Sequence, residues 1–130
     1  MALHILQWNA RGLRTNKDQL KNLIINIDRP PDVVCVQETF LKTKFQSPKL
    51  DGYNIIQEDC TTHNKGGLII YIKVGLNFTV LNIEQIEDIE IQGVEIKTSI
   101  GYLKICNTYL SPLNTLSKEN LKKSSRIKDQ

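Results

Sequence analysis

Pro31-Asp32-Val33-Val34-Cys35-Val36-Gln37-Glu38-Thr39 decides how the rest of this chain is read. The apolar residues Val33 to Val36 follow a Pro-Pro-Asp break and run into a carboxylate at Glu38. A short run of this kind, rich in β-branched residues and bounded by turn signals, is the pattern of a strand buried on both faces. Such a strand ends in Gln-Glu-Thr either because it emerges into solvent or because it presents a carboxylate. The second option matters chemically, since the rigid end of a central strand is where an α/β protein places a metal ligand or a base. Glu38 alone does not choose between the two.

Upstream, Leu3-His4-Ile5-Leu6-Gln7-Trp8-Asn9 is a first strand, stopped by Ala10-Arg11-Gly12. A helix follows. Thr15 with Asp18, or Asn16 with Gln19, can form a capping box, and Leu20, Leu23, Ile24 and Ile27 recur at helical spacing. Pro30-Pro31 ends the helix, because proline cannot continue the hydrogen-bond ladder. Strand, helix, strand makes a βαβ unit, so the two strands are expected to be parallel with a right-handed crossover. Asn9 and Glu38 then lie at the same carboxyl edge of the sheet, where open α/β folds bind ligands.

Downstream, Phe40 to Leu50 is polar, with Lys42, Lys44 and Lys49, and reads as a loop or short helix. Gly52-Tyr53-Asn54-Ile55-Ile56 opens a run of β signal that lasts to Leu110. Gly66-Gly67-Leu68-Ile69-Ile70-Tyr71-Ile72 is a buried strand opened by a flexible glycine pair. A turn near Val74-Gly75 leads into Leu76 to Asn82, expected as a hairpin. Ile89 and Ile91, then Val94 and Ile96, alternate with a phase slip at Gly93, which suggests a bulge or a break. Gly101 turns the chain into Tyr102 to Tyr109, where Leu103, Ile105, Asn107 and Tyr109 share a face before Ser111-Pro112 ends the strand. Ser117 can cap a helix. Residues 118–130 nevertheless hold only Leu121 and Ile127 as large apolar residues, and read as a solvated, divergent basic tail.

A chain of 130 residues with 40% hydrophobic and 24% charged residues is a single globular domain with a real core. Seventeen basic against 14 acidic residues give a net charge of +3, compatible with a polyanionic partner and not diagnostic of one. Cys35, Cys60 and Cys106 show no paired spacing, which argues against a disulfide scaffold and for a reducing, intracellular compartment, nucleus or cytoplasm. No secretory h-region follows Met-Ala-Leu-His, and no apolar run is long enough to span a membrane.

Polar groups thus close three strands: Trp8-Asn9-Ala10-Arg11-Gly12-Leu13, Gln37-Glu38-Thr39, and Asn107-Thr108-Tyr109-Leu110-Ser111-Pro112. With Gly66-Gly67-Leu68-Ile69-Ile70-Tyr71, they resemble the first half of the endonuclease/exonuclease/phosphatase superfamily, the deoxyribonuclease I-like fold. The similarity runs over roughly residues 3–118 and is greatest to the endonuclease domain that begins the polymerase polyprotein of non-LTR, jockey-type retrotransposons. Gln-Trp-Asn-Ala-Arg-Gly-Leu with Val-Gln-Glu-Thr at this separation is specific; either alone is weak. The resemblance implies an α/β, α+β-like fold, part of a four-layer sandwich of two mixed β-sheets flanked by helices. Here that is an N-terminal βαβ unit followed by antiparallel strands, with residues 1–117 as a partial domain. It implies that Glu38 is a Mg²⁺ ligand and that Asn9 helps hold the metal site and the scissile phosphate. Tyr109 is implied to hydrogen-bond the phosphate. Mg²⁺ or Mn²⁺ is the implied cofactor, DNA the implied partner, and nicking DNA to prime reverse transcription the implied activity.

The chain also departs from that pattern. Family members continue with Gly-Asp-Phe-Asn and Ser-Asp-His segments, and neither occurs here. The histidines, His4 in the first strand and His63 in a polar loop, do not replace the family's catalytic histidine. Arg11 stands where some relatives carry an acid, and suits a phosphate better than a metal. The expectation is a truncated, inactive endonuclease domain that binds its metal weakly if at all. The alternatives are a non-enzymatic nucleic-acid-binding or interaction module, or half of an abasic-site nuclease or phosphatase of the same superfamily. If each half of the family's chain supplies about one sheet, this chain leaves a sheet face uncovered, and self-association is expected.

Overall fold

The βαβ unit forms as the spacing predicts. In the computed structural model, which describes residues 2–41, 47–57, 66–84, 86 and 88–110, β1 (Ile5–Asn9) lies parallel to β2 (Val33–Gln37) with Asn9 opposite Gln37, and α1 (Leu13–Asn26) crosses between them. The remaining elements are β3 (Tyr53–Gln57), β4 (Leu68–Lys73), β5 (Phe78–Leu81), β6 (Ile89–Thr98) and β7 (Gly101–Leu110). One sheet has the order β1-β2-β4-β3, with β4 antiparallel to both of its neighbours; the other is antiparallel, in the order β5-β6-β7.

β2 is buried at every position, which is why it carries an unbroken apolar run rather than an alternation. Its two faces serve different layers. Val34 and Val36, with Ile69 and Tyr71 of β4, pack against Ala10, Leu13, Leu20 and Leu50 on the helix side. Val33 and Cys35, with Ile70 and Ile72, pack against Val94, Ile96 and Ile105 of the second sheet. Each large aliphatic side chain fully buried there stabilises the fold by about 1.5–3 kcal/mol. Helix, mixed sheet and antiparallel sheet are therefore three layers of an α/β sandwich.

Several local expectations give way. The chain itself encodes both sheets, so the inner face of the first sheet is covered. The Val74-Gly75 turn makes no hairpin, because β5 pairs with β6 in the other sheet; the turn carries the chain across the sandwich instead. β6 has no bulge at Gly93: it pairs with β7 in unbroken register from Ile89↔Leu110 to Thr98↔Gly101. Its buried face is Glu90, Gln92, Val94 and Ile96, polar at one end and apolar at the other. A Cβ on Gly93 would stand 2.6 Å from Ile83 Cδ1, the movable end of that side chain. The helix starts earlier than a capping box at Thr15 or Asn16 requires: Gly12, at φ 102, is its N-cap and no side chain caps it. It ends at Asn26, so Ile27 stands outside it, and Leu20 and Leu13 are its buried anchors. His4 precedes β1 and is exposed. His63, Cys60, Lys42, Lys44 and residues 111–130 lie outside the described residues. Among the described residues no helix is long and apolar enough to cross a membrane.

Candidate functional site

The carboxyl edge of the first sheet is tied together by backbone bonds beyond the strand ends. Ala10 N–H donates to Gln37 O at 2.8 Å, Gly12 N–H to Glu38 O at 2.8 Å and Leu13 N–H to Thr39 O at 2.9 Å. From the other side, Phe40 N–H donates to Gly66 O at 2.7 Å and Thr39 N–H to Gly67 O at 3.3 Å. Glu38 is thus clamped between two neighbours, and its φ is 53°. Left-handed backbone costs a non-glycine residue about 1–2 kcal/mol, and it persists only where the surroundings impose it. Continued alternation would put Glu38 on the helix side with Val34 and Val36. The positive φ takes it out of that alternation, and its carboxylate meets β7 instead: Tyr109 O–H donates to Glu38 Oε1 at 2.9 Å across a separation of 71 residues.

Tyr109 shares the buried face of β7 with Ile105 and Asn107, as its spacing predicts. Burial, its hydrogen bond to Glu38 and the negative charges of Glu38 and Glu90 push the phenol up to about 12, so it is a proton donor at neutral pH. Asn9 sits at the exposed end of β1, and its Oδ1 accepts from Arg11 N–H at 3.2 Å in an Asx-turn. Asn16 Nδ2 closes the same loop on Ala10 O at 2.8 Å, so the Asn9–Gly12 turn is held at both ends. Arg11, at φ 49, is exposed on it.

Two features escaped the sequence. Glu90 is 8% exposed, and its carboxylate accepts from Gly66 N–H and Gly67 N–H, both at 2.9 Å. Behind it a polar chain crosses both sheets. Gln7 Nε2 donates to Gln37 Oε1 (2.7 Å), Gln37 Nε2 to Asn107 Oδ1 (2.7 Å) and Asn107 Nδ2 to Gln92 Oε1 (3.2 Å), while Gln92 Nε2 donates to Ile56 O (2.8 Å). Asn107 Nδ2 also reaches Val36 O at 3.1 Å and Ile69 O at 3.2 Å. The available signal was the phase of Glu90 and Gln92 with Val94 and Ile96, which the conspicuous Ile89 and Ile91 mask.

Among the described residues no group of three or more His, Cys, Asp or Glu is placed to hold a metal ion. The donor set at the edge is one carboxylate with one oxygen already bonded to a phenol, beside one carboxamide. That suits a hard ion that keeps most of its water and takes the remaining ligands from phosphate, as Mg²⁺ does; it does not suit a fully protein-ligated ion. A separate cavity of about 250 Å³ lies between α1 and the turn before β3, lined by Lys21, Ile24, Lys49 and Leu50 among others, and includes none of these residues.

A family model described as the Endonuclease/Exonuclease/phosphatase family matches residues 6–112. Over 111 residues the chain is 32% identical to the RNA-directed DNA polymerase from mobile element jockey of Drosophila melanogaster, a match covering 85% of this chain and 12% of that protein. Among solved structures the fold is similar to that of the 3′ phosphatase NExo from Neisseria, bound to a product DNA hairpin. That similarity has a TM-score of 0.50 and 20% identity, and covers 79% of this chain and 40% of that one. The chain spans well under half the length of either relative.

Proposed function

The chain belongs to the endonuclease/exonuclease/phosphatase family, and from that premise we propose that the Asn9–Glu38–Tyr109 edge is the metal- and phosphate-holding part of a Mg²⁺-dependent, DNA-nicking site of the retrotransposon type. The observation that carries this reading is the Tyr109–Glu38 hydrogen bond of 2.9 Å, which joins two motifs from different sheets at the ligand-binding edge. Glu38 is the metal ligand, through the carboxylate oxygen that Tyr109 leaves free among the described residues, with Asn9 beside it. Glu38, with Asn9, would hold Mg²⁺, whose chemistry there would be to polarise a phosphoryl oxygen and offset charge on the leaving oxygen. Tyr109, protonated at neutral pH, has a single O–H, which donates to Glu38 here and would turn to a phosphate oxygen when substrate is bound. Asn9 keeps its Nδ2 for the phosphate among the described residues, and Arg11 offers a planar guanidinium on the same turn.

Residues 1–117 are the partial domain of this proposal and 118–130 a basic tail, working in a reducing intracellular compartment where Cys35 and Cys106 stay free thiols, as they are here. The family's second half, with its Gly-Asp-Phe-Asn and Ser-Asp-His segments, supplies the water-activating groups that this sequence lacks. A second reading, a nucleic-acid-binding module without catalysis, draws on the absence of a three-residue metal cluster among the described residues. Titrating Mn²⁺ into wild type and Glu38→Gln tests the assignment. The expected outcome is weak binding by wild type and a further loss in the variant; equal affinity in the two removes Glu38 from the site.

A further inference from the structure

We propose that Glu90 is the positioning residue of the Glu38–Tyr109 pair, acting by holding the Gly66-Gly67 backbone on which that pair rests. The inference builds on the reading of Glu38 and Tyr109 as the metal- and phosphate-holding residues.

Gly66-Gly67 lies between two elements. On one side its carbonyls accept from Phe40 and Thr39, the residues that follow Glu38. On the other, each of its N–H groups donates to a different oxygen of Glu90, both at 2.9 Å. With one oxygen on each N–H and 8% exposure, the Glu90 carboxylate faces the glycine backbone as a support. Hydrogen bonds to an ionised, buried carboxylate are about twice as strong as neutral ones, so the glycine pair is held firmly. What rests on the pair is the site itself. A Cβ on Gly66 would stand 2.8 Å from Tyr109 Cε2 and 3.5 Å from Glu38 Cα, so the ring and the Glu38 backbone both pack against the same glycine. Glu90 also stands directly opposite Tyr109 in the β6–β7 register, so one strand pair carries both the support and the ring. A shift of the glycine pair therefore moves both partners of the 2.9 Å bond.

Glu90→Gln keeps the shape and loses one acceptor, leaving an amide N–H₂ facing a backbone N–H. Glu90→Asp keeps both oxygens on a side chain one methylene shorter. In the full chain, the Tyr109 ring packed on Gly66 is expected to impose a ring-current shift on the Gly66 Hα resonances, and Tyr109→Leu identifies that shift by abolishing it. The expected result is loss of that shift in Glu90→Gln, with a several-fold weaker Mn²⁺ affinity and a cooperative melt, and partial recovery of both in Glu90→Asp. An unchanged Gly66 shift in a cooperatively folded Glu90→Gln overturns the proposal. Loss of the shift with wild-type Mn²⁺ affinity overturns it too, where Glu38→Gln weakens binding. If Glu38→Gln binds Mn²⁺ like wild type, the functional reading fails, and the Gly66 shift still decides whether Glu90 positions the ring. Should Glu90→Gln not melt cooperatively, Glu90→Asp decides: a reduced shift supports the proposal and a wild-type shift overturns it.

Discussion

Glu38 holds a left-handed backbone with φ 53° and a carboxylate that receives the Tyr109 hydroxyl. The phenol reports on that contact. Its ordinary value of 10.0 is pushed up to about 12 by burial first, then by its bond to Glu38 and the nearby charges. The neutral phenol is thus favoured in the folded state. Its contribution to stability is fully present below the unfolded value near 10 and is lost as the pH rises through about 12. In Glu38→Gln the bond to a charged acceptor and one of the two charges disappear, and Tyr109 is expected to ionise closer to its ordinary value. Ultraviolet phenolate absorbance from pH 9 upward, compared between wild type and variant with far-ultraviolet circular dichroism alongside, checks this. Superimposable curves would mean that the contact is absent in solution.

On the scale of elements, β6 and β7 divide their shared buried face into an apolar end, Val94 and Ile96 against Ile105, and a polar end, Gln92 against Asn107 and Glu90 against Tyr109. The polar end abuts the site, and its hydrogen bonds connect the sheets that carry Glu38 and Tyr109. Asn107 is the hub, 1% exposed, with partners on β2, β4 and β6. Asn107→Ala strands Gln37 Nε2 and Gln92 Oε1 in the interior, and each buried group left unpaired costs about 1–3 kcal/mol. A destabilisation of at least about 2 kcal/mol is expected in urea unfolding, from two such groups. A loss within about 0.5 kcal/mol, as for an ordinary surface substitution, would show that the network is replaceable. The glycine pair at the head of β4 makes a complementary case. In Gly66→Ala the new methyl meets the Tyr109 ring at 2.8 Å. Overpacking of that kind costs typically about 1–3 kcal/mol, and the melt is expected to fall accordingly. An unchanged melting temperature would mean that the ring moves aside at no cost.

The whole molecule carries a covered core but open borders. β7 is a ten-residue border strand of its sheet among the described residues, and Tyr102 (68% exposed) and Leu110 (49% exposed) stand on it. Unpaired strand edges of this length template pairing with another chain. The expectation of self-association therefore survives on a different footing: the cause is the β7 edge, since the sheet face first held responsible is covered by β5-β6-β7. Size-exclusion chromatography with light scattering is expected to show dimers or larger species that Tyr102→Lys reduces; a sharp monomer peak for wild type would count against it. Catalysis tests the molecule as a whole as well. A positioned general acid or base contributes about 10²–10⁴-fold to such reactions, and the Gly-Asp-Phe-Asn and Ser-Asp-His segments expected to supply it do not occur in this sequence. The chain alone is expected to leave supercoiled plasmid uncut in Mg²⁺, and nicking that Glu38→Ala abolishes would refute this.

Hydropathy and turn chemistry alone determined the βαβ unit, the doubly buried β2 and the common edge of Asn9 and Glu38, because each depends on a local period or a proline break. The motifs, read together, pointed to the family for the same reason: short strand-end segments are written contiguously. Only the tertiary structure decided which phase of β6 faces inward, that β5 leaves β4 for the other sheet, and that Glu38 turns left-handed to reach Tyr109. A period of two says that a strand has two faces, and it leaves open which one is buried when carboxylates and amides find partners inside. Glu90 is buried because Gly66 and Gly67, remote in sequence, bring it two N–H groups, and no pattern around residue 90 records that they will be there.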